Sequence, residues 1–466
     1  MISRGIEPVL PATRSSGWLV MLVFLLISGG LILFVRTALI GHEIIAMLLF
    51  VLILAVAVHL FAKIAFQRTI DLLEPVHWVL LYALIGYVGA PLYMLSTGHV
   101  SYLIRGYGQD EQTQLMALAL IYVLVGLASF YIGYSTLLAR RIGARLPAFR
   151  SAWSSHRVRH VVILFTIIGI TCFIVYAHYG GGILYLYKHP ELRWYIFCAI
   201  PAAGYLVWGV RFLPLATYIW FVDHSTVRRS RIFWLYSVAV SGILLAFGGR
   251  ARVLSMWITL IILRHYLIKR LSLKGILGVI GLAIIFLFLF SLLLRGDSGE
   301  AFKHTNYLLS GEYFGGIAPF MHILKHIPKE LGPYWGQTFA SLIFFPIPRA
   351  LWPDKPVVAG TLILQPFFPN QPGAVGVPLI AELYLNFLLP GIVIGMFLFG
   401  VISRALYAYL KKNVNSRASV LIYAAVFIHW IVGLTCADFV TTTVPVLENL
   451  LSLGIALYYI TRVGDT

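Results

Sequence analysis

Apolar runs long enough to cross a bilayer recur along almost the whole chain, and this recurrence limits the fold before any motif is considered. They fall near 17–35, 44–62, 78–96, 114–137, 160–178, 196–221, 232–248, 253–268, 275–294, 380–408, 419–435 and 444–461. A helix needs about twenty apolar residues to span the hydrocarbon of a membrane. The expectation is therefore an all-α polytopic membrane protein with about 12 transmembrane helices. The first run lacks a small-residue cleavage site, so Gly17–Val35 reads as a retained span and not a signal peptide.

The formal net charge of +18 would suggest nucleic acid in a soluble chain, but here it sorts by side. With the N-terminus cytoplasmic, the inner segments collect 22 Lys/Arg against 5 Asp/Glu, six of those cations lying between Arg140 and Arg159. The outer segments hold 12 of each sign. The excess is the positive-inside bias of a membrane protein, and no nucleic-acid partner is expected. Three cysteines, Cys172, Cys198 and Cys436, give no disulfide framework.

The longest connection, Arg295–Pro378, divides the chain into residues 1–294 with nine helices, an external loop 295–378, and residues 379–466 with three helices. That loop is 84 residues long and holds 11 of the 21 prolines. Its large aromatics need burial, which argues for a folded cap and against a disordered linker. Ile317–His326 reads as a short amphipathic helix ending before Pro328. In Ser341–Val358, Pro346, Pro348, Pro353 and Pro356 restrict the backbone and fix the angles of the polar side chains between them.

Ionisable residues at helix ends carry the chemistry available to such a bundle. The turn "FGGRARVL" places Arg250 and Arg252 beside two glycines at a helix start, where free N–H groups and guanidinium forks match diphosphate oxygens. Arg295, Arg349 and Lys355 lie on the same face. Glu382 and Glu448 each stand about one turn inside a span, where partial desolvation suits a carboxylate to act as a base; Glu382 directly follows the cap, and His304 is the alternative base. His322 and His326 are spaced i, i+4 without further ligands, so the reading is an interfacial helix with no metal. No P-loop, dinucleotide fingerprint or nucleophile elbow appears, and no cofactor is expected. Tyr313, Trp335 and Trp352 are aromatic platforms in the cap on which sugar rings would stack.

A short Gly-Gly-Arg-x-Arg turn, a large loop carrying "IPRALWPDKP", then "PLIAELYLNF" and "LPGIVIGMFLFGV" resemble the bacterial Wzy-type O-antigen, or oligosaccharide repeat unit, polymerases. Pro348, Arg349, Trp352, Lys355 and Pro356 match the family's loop motif, and Glu382 with Asn386 its helix motif. Where the family often has Asn-Phe-Gly, this chain has Asn386-Phe387-Leu388. The resemblance implies a lipid-linked, GT-C-like glycosyltransferase of the bacterial inner membrane, with its active site on the periplasmic side. Its substrates would be undecaprenyl-diphosphate-linked donor and acceptor oligosaccharides, with a separate chain-length-regulating protein as partner. An O-antigen ligase shares this substrate and topology, and a lipid-glycan flippase is the alternative from another class.

Overall fold

The computed structural model describes residues 42–66, 71–149, 152–189, 196–200 without 198, 203–223, 230–247, 250–272, 316–347, 351–352, 354–367 and 374–462, with scattered positions in 23–37 and 275–285. Among them no strand occurs. The long helices are α1 (Glu43–Phe66), α2 (Pro75–Thr97), α3 (Gln109–Ser135), a short α4 (Leu137–Arg145), α5 (Ser155–Tyr179), α6 (Ala203–Asp223), α7 (Arg231–Ala246) and α8 (Arg250–Leu267). The loop contributes α9 (Ile317–His326), α10 (Gln337–Phe344) and α11 (Ala359–Leu364), and the chain closes with α12 (Leu379–Lys412), α13 (Arg417–Cys436) and α14 (Phe439–Thr461).

Eight of these helices are long and apolar enough to cross a membrane: α1, α2, α3, α5, α6, α12, α13 and α14. Helices α7 and α8 stand where the seventh and eighth spans are expected, with 16 and 18 residues. The first and ninth expected spans fall mostly outside the described residues. Local chemistry starts the helices: Pro75 opens α2, where a missing N–H is harmless, and the side chains of Ser154, Ser416 and Asp438 cap α5, α13 and α14. Along α1, Met47, Val51, Leu54, Val58 and Phe61 are exposed while Ile45, Leu49, Leu52 and Val56 are buried. A helix apolar on both faces with one open stripe is suited to lipid on that side.

The tightest crossing joins α3 to α12. A Cβ added to Gly133 would lie 2.1 Å from the Phe397 carbonyl oxygen, and one on Gly400 equally close to that of Phe130. Small residues let two backbones approach to packing distance, the usual way helices associate without a hydrophobic driving force.

At the end of the bundle opposite the cap, two carboxylates from "IDLLEP" gather four helices, α1, α3, α8 and α12. Asp71 accepts from Tyr407 Oη (2.9 Å), Tyr266 Oη (3.1 Å) and the Leu73 N–H (3.2 Å), with His265 and Lys411 within ion-pair reach. Glu74 binds Lys63 (2.9 Å), Arg404 (3.0 Å) and Tyr134 Oη (2.9 Å). Burial alone would raise both carboxyls. At Asp71 the His265 hydrogen bond and the Lys411 charge overcome it, at Glu74 chiefly the Lys63 charge, and both sit below the usual carboxylate range.

A depressed carboxyl stabilises the fold above its unfolded pKa and loses that contribution as pH falls through the folded value. Thermal stability in nanodiscs should therefore hold from neutrality down to about pH 4–5 and fall below it. Asp71→Asn should flatten that acid limb, and an unchanged limb would show that this network does not set it.

Candidate functional site

Helix α12 is broken near its cap end. Pro390 has no N–H to give the Asn386 carbonyl, and Leu388 takes φ 57°, ψ −149°, a backbone region that favours glycine. The break frees the carbonyls of Leu385 and Asn386, and the cap takes both: the Tyr334 N–H donates to Leu385 O (3.1 Å) and the Trp335 N–H to Asn386 O (3.0 Å). Replacing Leu388 by glycine should remove strain of about 1–3 kcal/mol, less the entropy glycine adds to the unfolded chain. A net gain of about 1 kcal/mol, read as a higher melting temperature, is expected; a lower one would mean that the leucine side chain's packing outweighs the strain.

Side chains complete the docking. Asn386 Nδ2 donates to Thr338 Oγ1 (2.7 Å) and to the Glu382 carbonyl (2.8 Å), while its Oδ1 accepts from the Gly336 N–H (3.0 Å). Thr338 Oγ1 in turn donates to Glu382 Oε1 (2.7 Å), and the Phe439 N–H donates to Oε2 (2.6 Å). Asp438, whose carboxyl is raised by burial, caps the same helix start through the Thr441 N–H (2.9 Å). Two acidic side chains thus meet the N-terminus of α14, where free N–H groups and the helix dipole favour negative charge. The sequence suggests a half-buried Glu382; the structure buries it completely, because α10 lies across it.

The proline-rich stretch after α10 is closed on itself. Lys355 Nζ donates to the carbonyls of Ile347 (2.7 Å) and Phe345 (3.2 Å), Tyr205 of α6 donates to the Pro346 carbonyl, and Trp352 packs edge-on against Phe344. Trp335 projects outward, 76% exposed. Arg295, Arg349, His304 and Tyr313 lie outside the described residues, as does the side chain of Arg250.

Helix α8 begins at Arg250, so Arg250 and Arg252 both fall in its first turn, which holds no acidic residue. Cations there oppose the helix dipole and favour an anion between them. Arg252 lies over the Phe247 ring, 5.3 Å from its centroid. Its charge also acts on Glu448 of α14, which forms an ion pair with Arg211 of α6. Helix α14 starts at Phe439, five residues before the expected span, so Glu448 lies about 13 Å along it and not one turn in. The Arg211 charge also reaches His429, in the π-turn Ile428–Val432 of α13. Two guanidiniums, one carboxylate and an imidazole therefore share the cap-side half of the bundle. The pair is open enough to be reached, with side chains 25% and 15% exposed.

His322 and His326 are not interfacial: both are buried where α9 packs under the cap, and both bond to Tyr107. Among the described residues no group of three or more His, Cys, Asp or Glu side chains is arranged to hold a metal. Sequence reasoning named Glu448 and missed its pairing with Arg211. It missed Thr338 and Tyr107 altogether, because an uncharged hydroxyl carries no pattern until its partner is known.

Fold and site together define a polytopic, all-helical membrane protein whose cap is seated on a broken span. No family model, curated protein or solved structure matches the chain.

Proposed function

We propose that the chain is a twelve-helix, GT-C-like membrane glycosyltransferase that polymerises undecaprenyl-diphosphate-linked oligosaccharide repeat units on the periplasmic side of a bacterial inner membrane. The observation that carries this reading is the Arg211–Glu448 ion pair inside an apolar bundle, with the Arg252 charge acting on the same carboxylate. Guanidinium groups fixed inside an apolar bundle favour a diphosphate entering from the lipid. As the glycosidic bond breaks, negative charge grows on the leaving diphosphate, and fixed guanidiniums stabilise it without a nucleotide. The glycine-favoured backbone at Leu388 agrees with the Asn-Phe-Gly often found in the polymerases that this chain resembles.

In this reading Glu382 and Lys355 hold the cap together, since both already spend their hydrogen bonds inside it. The exposed indole of Trp335 is the sugar platform, with Trp352 at the cap's edge. Arg250, Arg295 and Arg349 remain candidate phosphate ligands.

The ion pair inside the bundle also suits a lipid-glycan flippase, which needs charge within its helices. Reconstitution of the purified chain with a lipid-diphosphate-linked repeat unit separates the two. A ladder of elongated glycan is expected; transbilayer movement without elongation would replace the polymerase reading with the flippase.

A further inference from the structure

Three side chains of the cap and Tyr107, from the connection between α2 and α3, form one hydrogen-bonded line that the diphosphate cluster does not use. Glu330 bonds to His326 Nδ1, Tyr107 Oη lies 3.2 Å from His326 Nε2, and the same Oη lies 2.7 Å from His322 Nδ1. The line runs from surface to interior: the Glu330 side chain is 56% exposed, whereas both histidines are buried. At its inner end His322 Nε2 completes no hydrogen bond, although the Ile363 carbonyl is close enough to act on the ring. His322 also lines a small cavity with Tyr334, Phe367 and Leu385, and Leu331, 44% exposed, stands at its edge.

We propose that Glu330, His326, Tyr107 and His322 form a proton relay that draws a proton from a hydroxyl group through the cavity and delivers it to the cap surface. Hydrogen-bond direction permits it. With neutral imidazoles, His322 Nδ1–H donates to Tyr107 Oη, the phenol O–H donates to His326 Nε2, and His326 Nδ1–H donates to the Glu330 carboxylate. His322 Nε2 is then a bare acceptor. When it takes a proton, Nδ1–H passes its own to the Tyr107 oxygen, the phenol proton moves to His326 Nε2, and the Nδ1 proton moves to Glu330. Each member ends with as many protons as it began except Glu330, which gains one, and both His322 and His326 have changed tautomer. The Ile363 carbonyl is placed to receive the new N–H.

The surroundings hold His322, Tyr107 and Glu330 in the required states. Burial, then the neighbouring His326, pulls His322 down to about 4, so it is neutral near pH 7. Burial, then Glu111 and Glu330, pushes the Tyr107 phenol up, so it keeps its proton. The His326 hydrogen bond holds Glu330 below the usual carboxylate range. Lys325, 3.6 Å from the centre of the Tyr107 ring and paired with Glu111 at 3.0 Å, is the other charge facing the line.

The hydroxyl is that of an acceptor sugar, reached through one water in the cavity, an assignment that rests on the glycosyl-transfer reading. Its oxygen forms the new bond to the anomeric carbon as the bond to diphosphate breaks and the diphosphate leaves with the electron pair. The released proton enters at His322.

Tyr107→Phe keeps the ring under Lys325 and cuts the line. With the reconstituted chain and a lipid-diphosphate-linked repeat unit, kcat should fall by about a hundredfold with KM little changed. The acid limb of the pH–rate profile should move, and the protease pattern of the cap should stay as in the parent. A parent-like rate and profile would overturn the relay, as would a rate loss in which the cap becomes protease-sensitive and the pH profile does not move, which marks a clamp only. A second measurement needs no substrate. In the full chain, histidine-labelled with 15N in nanodiscs, Glu330→Gln should change the tautomer populations of His322 as well as His326. No change at His322 would sink the relay even if polymer forms, while coupled histidines in a chain that makes no polymer would leave the relay standing and remove the polymerase reading.

Discussion

Asn386→Leu should release the cap from the bundle. The substitution keeps the side chain's size but leaves the Gly336 N–H without its acceptor and the Thr338 hydroxyl oxygen without its donor. Each unsatisfied buried group costs about 1–3 kcal/mol, so the docked state should lose roughly 2–6 kcal/mol. The main-chain bonds from Tyr334 and Trp335 would remain but bear the load alone. Protease cleavage between Leu331 and Trp352 should appear at temperatures where the parent protein resists, with the helical bundle still folded by circular dichroism. Asn386→Asp keeps an acceptor for Gly336 and loses the amide donor, so it should fall between the two. Parent-like protease resistance in Asn386→Leu would mean that the cap is held elsewhere.

The second large effect is expected at Glu448. Glu448→Leu leaves Arg211 charged among helices without its ion-pair partner, and breaking such a pair from one side costs about 3–5 kcal/mol. The double variant Arg211→Met with Glu448→Leu removes the charge as well as its partner, and should recover most of that stability. Its transfer activity should stay roughly ten- to a hundredfold down, the size of one lost charge-assisted hydrogen bond to the leaving group. The comparison is made at matched membrane abundance, by glycan ladder and melting temperature together. A double variant that folds and elongates normally would remove Arg211 from any contact with the ligand.

What the sequence revealed and concealed follows from the reach of each interaction. The boundaries of α9 were legible because its apolar spacing and Pro328 are local signals, and the structure places that helix at Ile317–His326. The Glu382–Asn386 pair stood out as polar residues in an apolar run, yet its docking role was hidden. Leucine favours helix, so nothing at Leu388 announces a break; Pro390 was the available sign. The depth of Glu448 was misjudged because Thr441, Thr442 and Thr443 lower the local hydropathy. In the structure the first two return hydrogen bonds to the Asp438 carbonyl and continue the helix. Tyr107 and His322 are 215 residues apart, beyond any spacing rule.

The backbone contacts at Tyr334 and Trp335 have a consequence for how such a protein diversifies. They rely on N–H groups that every residue except proline possesses, so their seat on α12 needs no side-chain contact at those two positions, only a residue at 335 that accepts the left-handed φ of 50°. The outward-facing surface is then free to be rewritten for a new ligand while its anchorage is inherited unchanged. Specificity and attachment become largely separate traits, joined again by a proline at either position or a β-branched residue at 335.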